Sequence, residues 1–124
     1  ELYLAETELS NPINFFKELN SNHSLKILDL SGNPLLANNL NELSESFLSS
    51  NLMSINLDYC NINDNNTELI KNLIMSNLSK ISIKSNRFSN NILKYFSEVI
   101  VYWTNKNKGY RLDLLNLSSG KLYN

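Results

Sequence analysis

One eleven-residue pattern recurs along this chain, and it restricts the possible folds more than any other feature. The pattern is L-x-x-L-x-L-x-x-N-x-L, with Leu or Ile at most apolar positions. Copies occupy residues 25–35, 52–62, 78–88 and 112–122, and residues 2–9 match from the second leucine onwards. Corresponding positions fall 26, 27, 26 and 34 residues apart. A near-constant spacing of this length is typical of stacked repeats, each forming one structural unit.

Each copy of the pattern predicts a short strand. Apolar residues at alternate positions point to one side of a strand, and stacked repeats place these strands side by side in a parallel sheet. We expect strands near residues 2–4, 26–30, 53–57, 79–83 and 114–117. The alternating apolar residues should be buried in columns that run across the sheet, namely Leu28, Leu30, Ile55, Leu57, Ile81 and Ile83.

The asparagine position of the pattern lies where the chain turns away from each strand. A buried asparagine amide can bond backbone groups that such a turn leaves unpaired. We therefore expect Asn33 and Asn86 to be buried and bonded to the backbone. Thr7, Cys60 and Gly120 occupy this position in the other copies.

The second half of each repeat predicts a helix. Apolar residues recur at spacings of three and four, which places them on one helical face. We expect helices near residues 12–20, 39–49, 66–75 and 90–103. Their buried stripes comprise, in the last three helices, Leu40, Leu43, Phe47 and Leu48; Leu69, Ile70, Leu73 and Ile74; and Ile92, Leu93, Phe96, Val99 and Ile100.

These repeats resemble the leucine-rich repeat family, and their length and helical halves are similar to its ribonuclease-inhibitor-like subclass. The resemblance covers nearly the whole chain. It implies an α/β fold, a segment of a right-handed horseshoe-shaped solenoid with a parallel sheet on the concave face and helices on the convex face. We expect residues 1–124 to form one array of about five repeats. Because neither end shows a capping segment, we expect the array to be part of a longer solenoid.

Composition argues against several classes of function. The net charge is −1, which favours neither nucleic acid nor an anionic membrane. The densest apolar run, residues 99–103, is far shorter than the roughly 20 residues that cross a bilayer. A single cysteine, Cys60, indicates a reducing compartment, and we expect a cytoplasmic location. The 23 asparagines are most simply explained by the base composition of the genome.

No motif for catalysis, a cofactor or a metal ion is apparent. His23, the single histidine, lies in a polar turn, and Cys60 occupies a structural position of the repeat, where a buried and inert thiol is expected. We therefore predict that the chain is not an enzyme and needs neither a cofactor nor a metal ion.

The variable positions of each strand should face solvent on the concave side. They carry acidic residues in the first repeats and basic residues in the fourth, and a long fourth repeat adds the single tryptophan beside a polar turn at 105–109. Aromatic residues are common anchors at interface centres. The predicted partner-binding residues are Tyr3, Asp29, Asn56, Asp58, Tyr59, Lys80, Lys84 and Trp103.

These features favour a protein-interaction module or scaffold that binds another protein on its concave face. One alternative is a structural unit that continues into further repeats or packs on other chains of a large assembly. The family also includes activators of a small GTPase, but no residue here matches such a site.

Overall fold

The chain forms an α/β structure in which strands alternate with helices. The computed structural model describes residues 1–4, 24–34, 37–106 and 114–116, with side chains for all of these except 43, 100, 102–106 and 114–116. Strands β1 to β5 span Leu2–Tyr3, Ile27–Asp29, Ser54–Asn56, Lys80–Ser82 and Leu114–Asn116, and helices α1 to α4 span Ala37–Leu43, Glu45–Ser49, Thr67–Met75 and Asn90–Lys106. The helix expected at 12–20, His23, and the Thr7 and Gly120 positions lie outside the described residues.

The five strands form one parallel sheet in the order in which they occur along the chain. Paired residues in neighbouring strands lie 26, 27, 26 and 34 positions apart, as the repeat predicts. Parallel neighbours require a crossover connection, and between β2 and β5 the helices provide it. This arrangement is compatible with a segment of a solenoid.

The expected core columns are confirmed. Leu28 pairs with Ile55, and Ile55 pairs with Ile81, so that one buried residue stacks on the next across the sheet. A second buried column follows at Leu30, Leu57 and Ile83, where the backbone bonds continue past the strand ends. The core therefore lies between the sheet and the helices, because one face of each strand supplies it.

The asparagine position bonds each repeat to the preceding one, as predicted. The Asn86 Oδ1 accepts bonds from the backbone N–H groups of Cys60 at 3.0 Å and Ile62 at 2.9 Å. Its Nδ2 donates to the carbonyls of Leu57 and Ile83, both at 3.0 Å. One buried side chain thus satisfies backbone groups in two repeats.

Asn33 makes the same connection one step earlier. Its Nδ2 donates to the carbonyls of Leu4 at 2.9 Å and Leu30 at 2.8 Å. In the repeat between, Cys60 replaces the amide and its thiol donates to the Leu30 carbonyl at 3.2 Å. A thiol is a weaker donor than an amide, and the backbone N–H groups of Cys60 and Ile62 are bonded by Asn86 of the following repeat.

The expected single helix over 39–49 is wrong in one respect, because Ser44 divides it into α1 and α2. The buried Ser44 hydroxyl donates to the Asn41 carbonyl at 2.8 Å and accepts a bond from Asn72 Nδ2 on α3 at 2.7 Å. A serine hydroxyl that bonds a carbonyl of the preceding turn competes with the helical backbone bond there. The residue that interrupts the helix, Ser44, therefore also bonds the next helix through Asn72.

Leu48 does not belong to the core stripe in which the sequence places it. Its exposed fraction is 43%, whereas the neighbouring Phe47 is completely buried. Leu40, Ser44 and Phe47 are buried at spacings of four and three, so Ser44 rather than Leu48 lies on the inward side.

Candidate functional site

The face of the sheet away from the helices carries four of the predicted binding residues, and three more lie in the turns that follow the strands. We call it the outer face and define it by the strand residues that alternate with the buried columns: Tyr3, Ile27, Asp29, Ser54, Asn56, Lys80 and Ser82. Tyr3, Asp29, Asn56 and Ser82 form one row across four strands, because each pairs with the next. The fold therefore brings residues from distant repeats onto one continuous surface.

A left-handed turn follows each of the three central strands. Gly32, Tyr59 and Ser85 occupy the same position of successive repeats, with φ angles of 70°, 55° and 57°. Backbone bonds from Gly32 N to the Asp58 carbonyl at 2.8 Å and from Tyr59 N to the Lys84 carbonyl at 3.1 Å link the three turns. Glycine adopts this conformation without strain, whereas a side chain with a Cβ does not.

Tyr59, in the turn after β3, is the most exposed large hydrophobic side chain of the described residues, with an exposed fraction of 64%. Its turn follows β3, the middle strand of the five. The left-handed backbone is held by the bond to Lys84 and by the burial of Cys60 directly after it. The aromatic ring is thus presented to solvent from a fixed backbone near the centre of the sheet.

Tyr3 is also exposed, at 61%, but lies two strands away on β1. Two strand spacings correspond to about 10 Å. Its hydroxyl donates to the Glu1 carboxylate at 2.8 Å, and this bond is the main cause that raises the pKa of Tyr3. The two exposed tyrosines therefore belong to different strands and turns of the sheet.

Asp58 does not face solvent, which corrects its assignment as an exposed binding residue. Its exposed fraction is 7%, and its Oδ1 accepts bonds from the Ser82 hydroxyl at 2.7 Å and the Lys84 N–H at 2.8 Å. The Lys84 ammonium lies 3.9 Å from Oδ2. The carboxylate therefore joins the turn after β3 to the end of β4, and its first role is structural.

Asp29 and Asn56 are half-buried and each closes the turn that follows its own strand. Asp29 Oδ1 accepts the Ser31 N–H at 2.9 Å, and Asn56 Oδ1 accepts the Asp58 N–H at 2.9 Å. Such bonds two residues along the chain are typical of Asp and Asn at turns. The remaining polar atoms of both side chains stay on the outer face, so their predicted binding role is compatible with this structural one.

The two basic residues among the predicted binding residues both belong to the fourth repeat. Lys80 is exposed at the start of β4, and the Lys84 side chain is 38% exposed after its end. Because Asp58 is buried beside Lys84, the expected division of the surface into an acidic and a basic part is incomplete. Positive charge is exposed on this repeat, while the nearest acidic group is withdrawn into the turn.

The prediction for Trp103 lies outside the described side chains. Helix α4 continues to Lys106, so Asn105 and Lys106 are helical and the polar turn expected at 105–109 is wrong in its first two residues. The eight extra residues of the fourth repeat at least partly lengthen the helix, because its apolar spacing continues through 101–103.

The described residues contain no group of three or more histidine, cysteine, aspartate or glutamate side chains that could hold a metal ion. Cys60 is buried, as expected, and burial raises the pKa of its thiol to about 11. The thiol is therefore protonated at neutral pH, which disfavours it as a nucleophile. In the described part of the chain no helix is long and apolar enough to cross a membrane.

Sequence reasoning did not identify a polar pocket of about 340 Å³ beside the turns after β3 and β4. It is lined by Asn61, Asn63, Asp64, Asn65, Arg87 and Ser89. The Asp64 carboxylate accepts bonds from the N–H and the hydroxyl of Ser89, which precedes α4. The asparagine-rich segment 61–66 was the available signal, since asparagine is common at turns.

Comparisons of this chain with protein-family models, with curated proteins and with solved structures found no match.

Removing the Asp58 carboxylate should destabilise the fold, in contrast to the small effect expected at a solvent-facing position. We expect Asp58→Ala to lower the free energy of unfolding by about 1.5–3 kcal/mol, because the Ser82 hydroxyl and the Lys84 N–H lose a charged acceptor. Asp29→Ala, at a half-buried aspartate with one bond in the same kind of turn, is the control and should cost less. Urea titration followed by circular dichroism measures both, and equal losses would contradict the structural role of Asp58.

Proposed function

We propose that this chain is a segment of a leucine-rich repeat solenoid of the ribonuclease-inhibitor-like subclass, and that it is a non-catalytic module that binds a protein partner. The outer face would be the concave, partner-binding surface. The sequential parallel sheet supports this proposal, as do the buried Asn33 and Asn86 that connect successive repeats. A reducing compartment such as the cytoplasm suits the free Cys60 thiol.

The conformation of Tyr59 is the observation that carries the functional part of the proposal. A non-glycine residue in the left-handed region costs about 1–2 kcal/mol, and the equivalent position one repeat earlier is Gly32. A large aromatic residue at such a position is therefore unfavourable for folding. Strained residues of this kind cluster at binding sites, where the surrounding structure holds them in place.

The surroundings of Tyr59 have the composition of an interface. The exposed ring would supply the apolar centre, while Asn56 and Ser82 on the neighbouring row and Lys84 beside it would supply a polar rim. Binding energy in protein interfaces concentrates in a few central residues, among which tyrosine is enriched. Tyr3, two strands away on β1, would be a second and more peripheral contact.

Tyr59→Gly is the sharpest test because it removes the ring and also relieves the backbone. We expect the free energy of unfolding to be maintained or to rise by up to about 1 kcal/mol, since relief of strain exceeds the entropy cost of glycine. Partner affinity should nevertheless fall by about 30-fold, the effect of losing a central anchor. The partner is first captured from an extract of the cells that make the protein and identified by mass spectrometry, and binding is then measured by calorimetry.

Ser85→Gly is the matched control, because Ser85 has the same backbone conformation one repeat later and no aromatic ring. This variant should bind the partner as the unmodified chain does. If Tyr59→Gly retained full affinity while it remained folded, the outer face around Tyr59 would not be the binding surface.

A further inference from the structure

The charged residues in β4 and in the turn that follows it are all basic. Lys80 and Arg87 are exposed and Lys84 is partly exposed, all within residues 80–87; we call these three side chains the basic row. The two acidic residues on the neighbouring turns are bonded to the fold, since Asp29 closes its own turn and Asp58 is buried. The row thus has an exposed ammonium at Lys80 and, at Lys84, one that lies beside the buried Asp58.

The lysines of the row are spaced in the way that an extended chain would match. Lys80 and Lys84 are separated by four residues along β4 and its continuation, a distance of about 13 Å at the rise of a strand. Carboxylates four residues apart in an extended peptide have the same separation and point to the same side. The Lys84 ammonium also lies 3.9 Å from the Asp58 Oδ2.

The row runs past Tyr59 and ends at the polar pocket. Tyr59 N donates to the Lys84 carbonyl at 3.1 Å, so the aromatic ring and Lys84 belong to adjacent turns. Arg87 lines the pocket together with Asn61 and Asn65, which are exposed and carry amides with both a donor and an acceptor. An extended peptide could thus meet positive charge, an aromatic ring and peptide-like amides in succession.

We propose that the basic row binds an acidic, extended segment of a protein partner, with its carboxylates at Lys80 and Lys84 and an apolar side chain against Tyr59. This inference rests on the proposed protein-binding function and specifies the chemistry of the partner. Complementary charge would direct the segment to β4 and fix its register.

A nucleic acid fits the same surface less well. Each nucleotide carries a phosphate, whereas the outer face of β4 offers two lysines with the uncharged Ser82 between them. The chain as a whole has a net charge of −1, which gives no general attraction for polyanions.

Selection from a random peptide library displayed on phage tests the proposal without knowledge of the natural partner. The chain and its Lys80→Glu/Lys84→Glu variant are immobilised separately, and circular dichroism verifies that both are folded. Peptides selected on the unmodified chain should be enriched in Asp and Glu, with two acidic residues four positions apart. Measured by fluorescence anisotropy, they should bind the double variant at least about tenfold more weakly and lose affinity as salt is added.

Lys94→Glu is the matched control, because it reverses an exposed lysine on α4 rather than on the sheet. It should leave the affinity of the selected peptides unchanged. An equal loss in this variant would attribute binding to the net charge of the chain and would overturn the inference.

The remaining outcomes separate this inference from the proposed function. One outcome is that the selected peptides are not acidic, bind the Lys80→Glu/Lys84→Glu variant normally and fail to bind Tyr59→Gly. This outcome would overturn the inference of an acidic segment, but the proposal that the outer face binds a protein would stand. Failure to select any peptide, or peptides indifferent to both changes, would count against both. Another outcome is that no acidic peptide is selected, while a single-stranded oligonucleotide binds tightly through Lys80 and Lys84. This outcome would overturn the inference and identify a nucleic acid as the ligand of the basic row.

Discussion

Asn86→Leu is expected to lower the free energy of unfolding by about 3–5 kcal/mol, although leucine fits the size and apolar character of a repeat core. The change leaves the N–H groups of Cys60 and Ile62 without their acceptor and removes the donor from the carbonyls of Leu57 and Ile83. Each buried polar group left unsatisfied costs about 1–3 kcal/mol. The two N–H groups carry most of the effect, because a carbonyl accepts other donors more readily.

Chemical denaturation compares this variant with Asn77→Leu, which makes the same substitution at an exposed turn after α3. The control should change stability by no more than about 0.5 kcal/mol. A loss below about 1 kcal/mol for Asn86→Leu would mean that the amide does not connect the repeats.

Leu57→Ala should destabilise the chain by about 2–5 kcal/mol. Leu57 is completely buried in the second core column, between Leu30 and Ile83 of the adjacent repeats. Its truncation removes buried apolar surface and leaves a cavity that the stacked strands on either side cannot readily fill. In an array in which each repeat packs on its neighbours, a central cavity weakens two interfaces at once.

Leu48→Ala provides the control for this prediction, because the same atoms are deleted from a leucine on α2 with 43% exposure. Its effect should be below about 1 kcal/mol, and urea titration of both variants gives the comparison. Similar losses at the two positions would contradict the assignment of Leu57 to the core and of Leu48 to the surface.

Period-two alternation of apolar residues was sufficient to predict the strands and their register. The columns through Leu28 and Leu30 follow from the spacing of the copies alone, because a repeat that stacks in register must pair equivalent residues. The bonds of Asn33 and Asn86 could be predicted for the same reason. These features depend on local pattern and repetition, which a sequence displays directly.

The burial of Asp58 could not be predicted from the same pattern. The template places this residue after the strand, among variable positions that normally face solvent. Its burial depends on the Ser82 hydroxyl and the Lys84 backbone of the next repeat, which converge on one carboxylate. This contact depends on which residues occupy variable positions in two neighbouring repeats, and the repeat pattern does not specify them.

The left-handed turns, in contrast, could have been predicted from the sequence. Gly32 occupies this position in one repeat, and alignment of the repeats places Tyr59 and Ser85 at equivalent positions. Glycine at a turn suggests a positive φ, and stacked repeats share their backbone conformation. The conformation of Tyr59 was therefore accessible from the sequence, although its exposure was predicted for a different reason.

Several asparagines also have structural roles, which the base composition of the genome does not explain. On the helical side, Asn66 Nδ2 donates to the Ala37 carbonyl at 3.0 Å, and Asn41 Oδ1 accepts the Leu69 N–H at 3.2 Å. Together with the bond from Asn72 to Ser44, these contacts join successive helices through polar side chains. The helical periodicity did not reveal them, because it reports apolar faces alone.

Site-specific photo-crosslinking tests the central claim, that the outer face around Tyr59 is the binding surface. A benzophenone amino acid replaces Tyr59 in one variant and Val101 on α4 in the other, two positions with similar exposure of 64% and 58%. Each variant is illuminated with the protein partner captured by the unmodified chain, and mass spectrometry locates the linked residues. The account predicts a crosslink from position 59 and none from position 101. Crosslinks from position 101 alone would place the partner on the helices and contradict the proposed function.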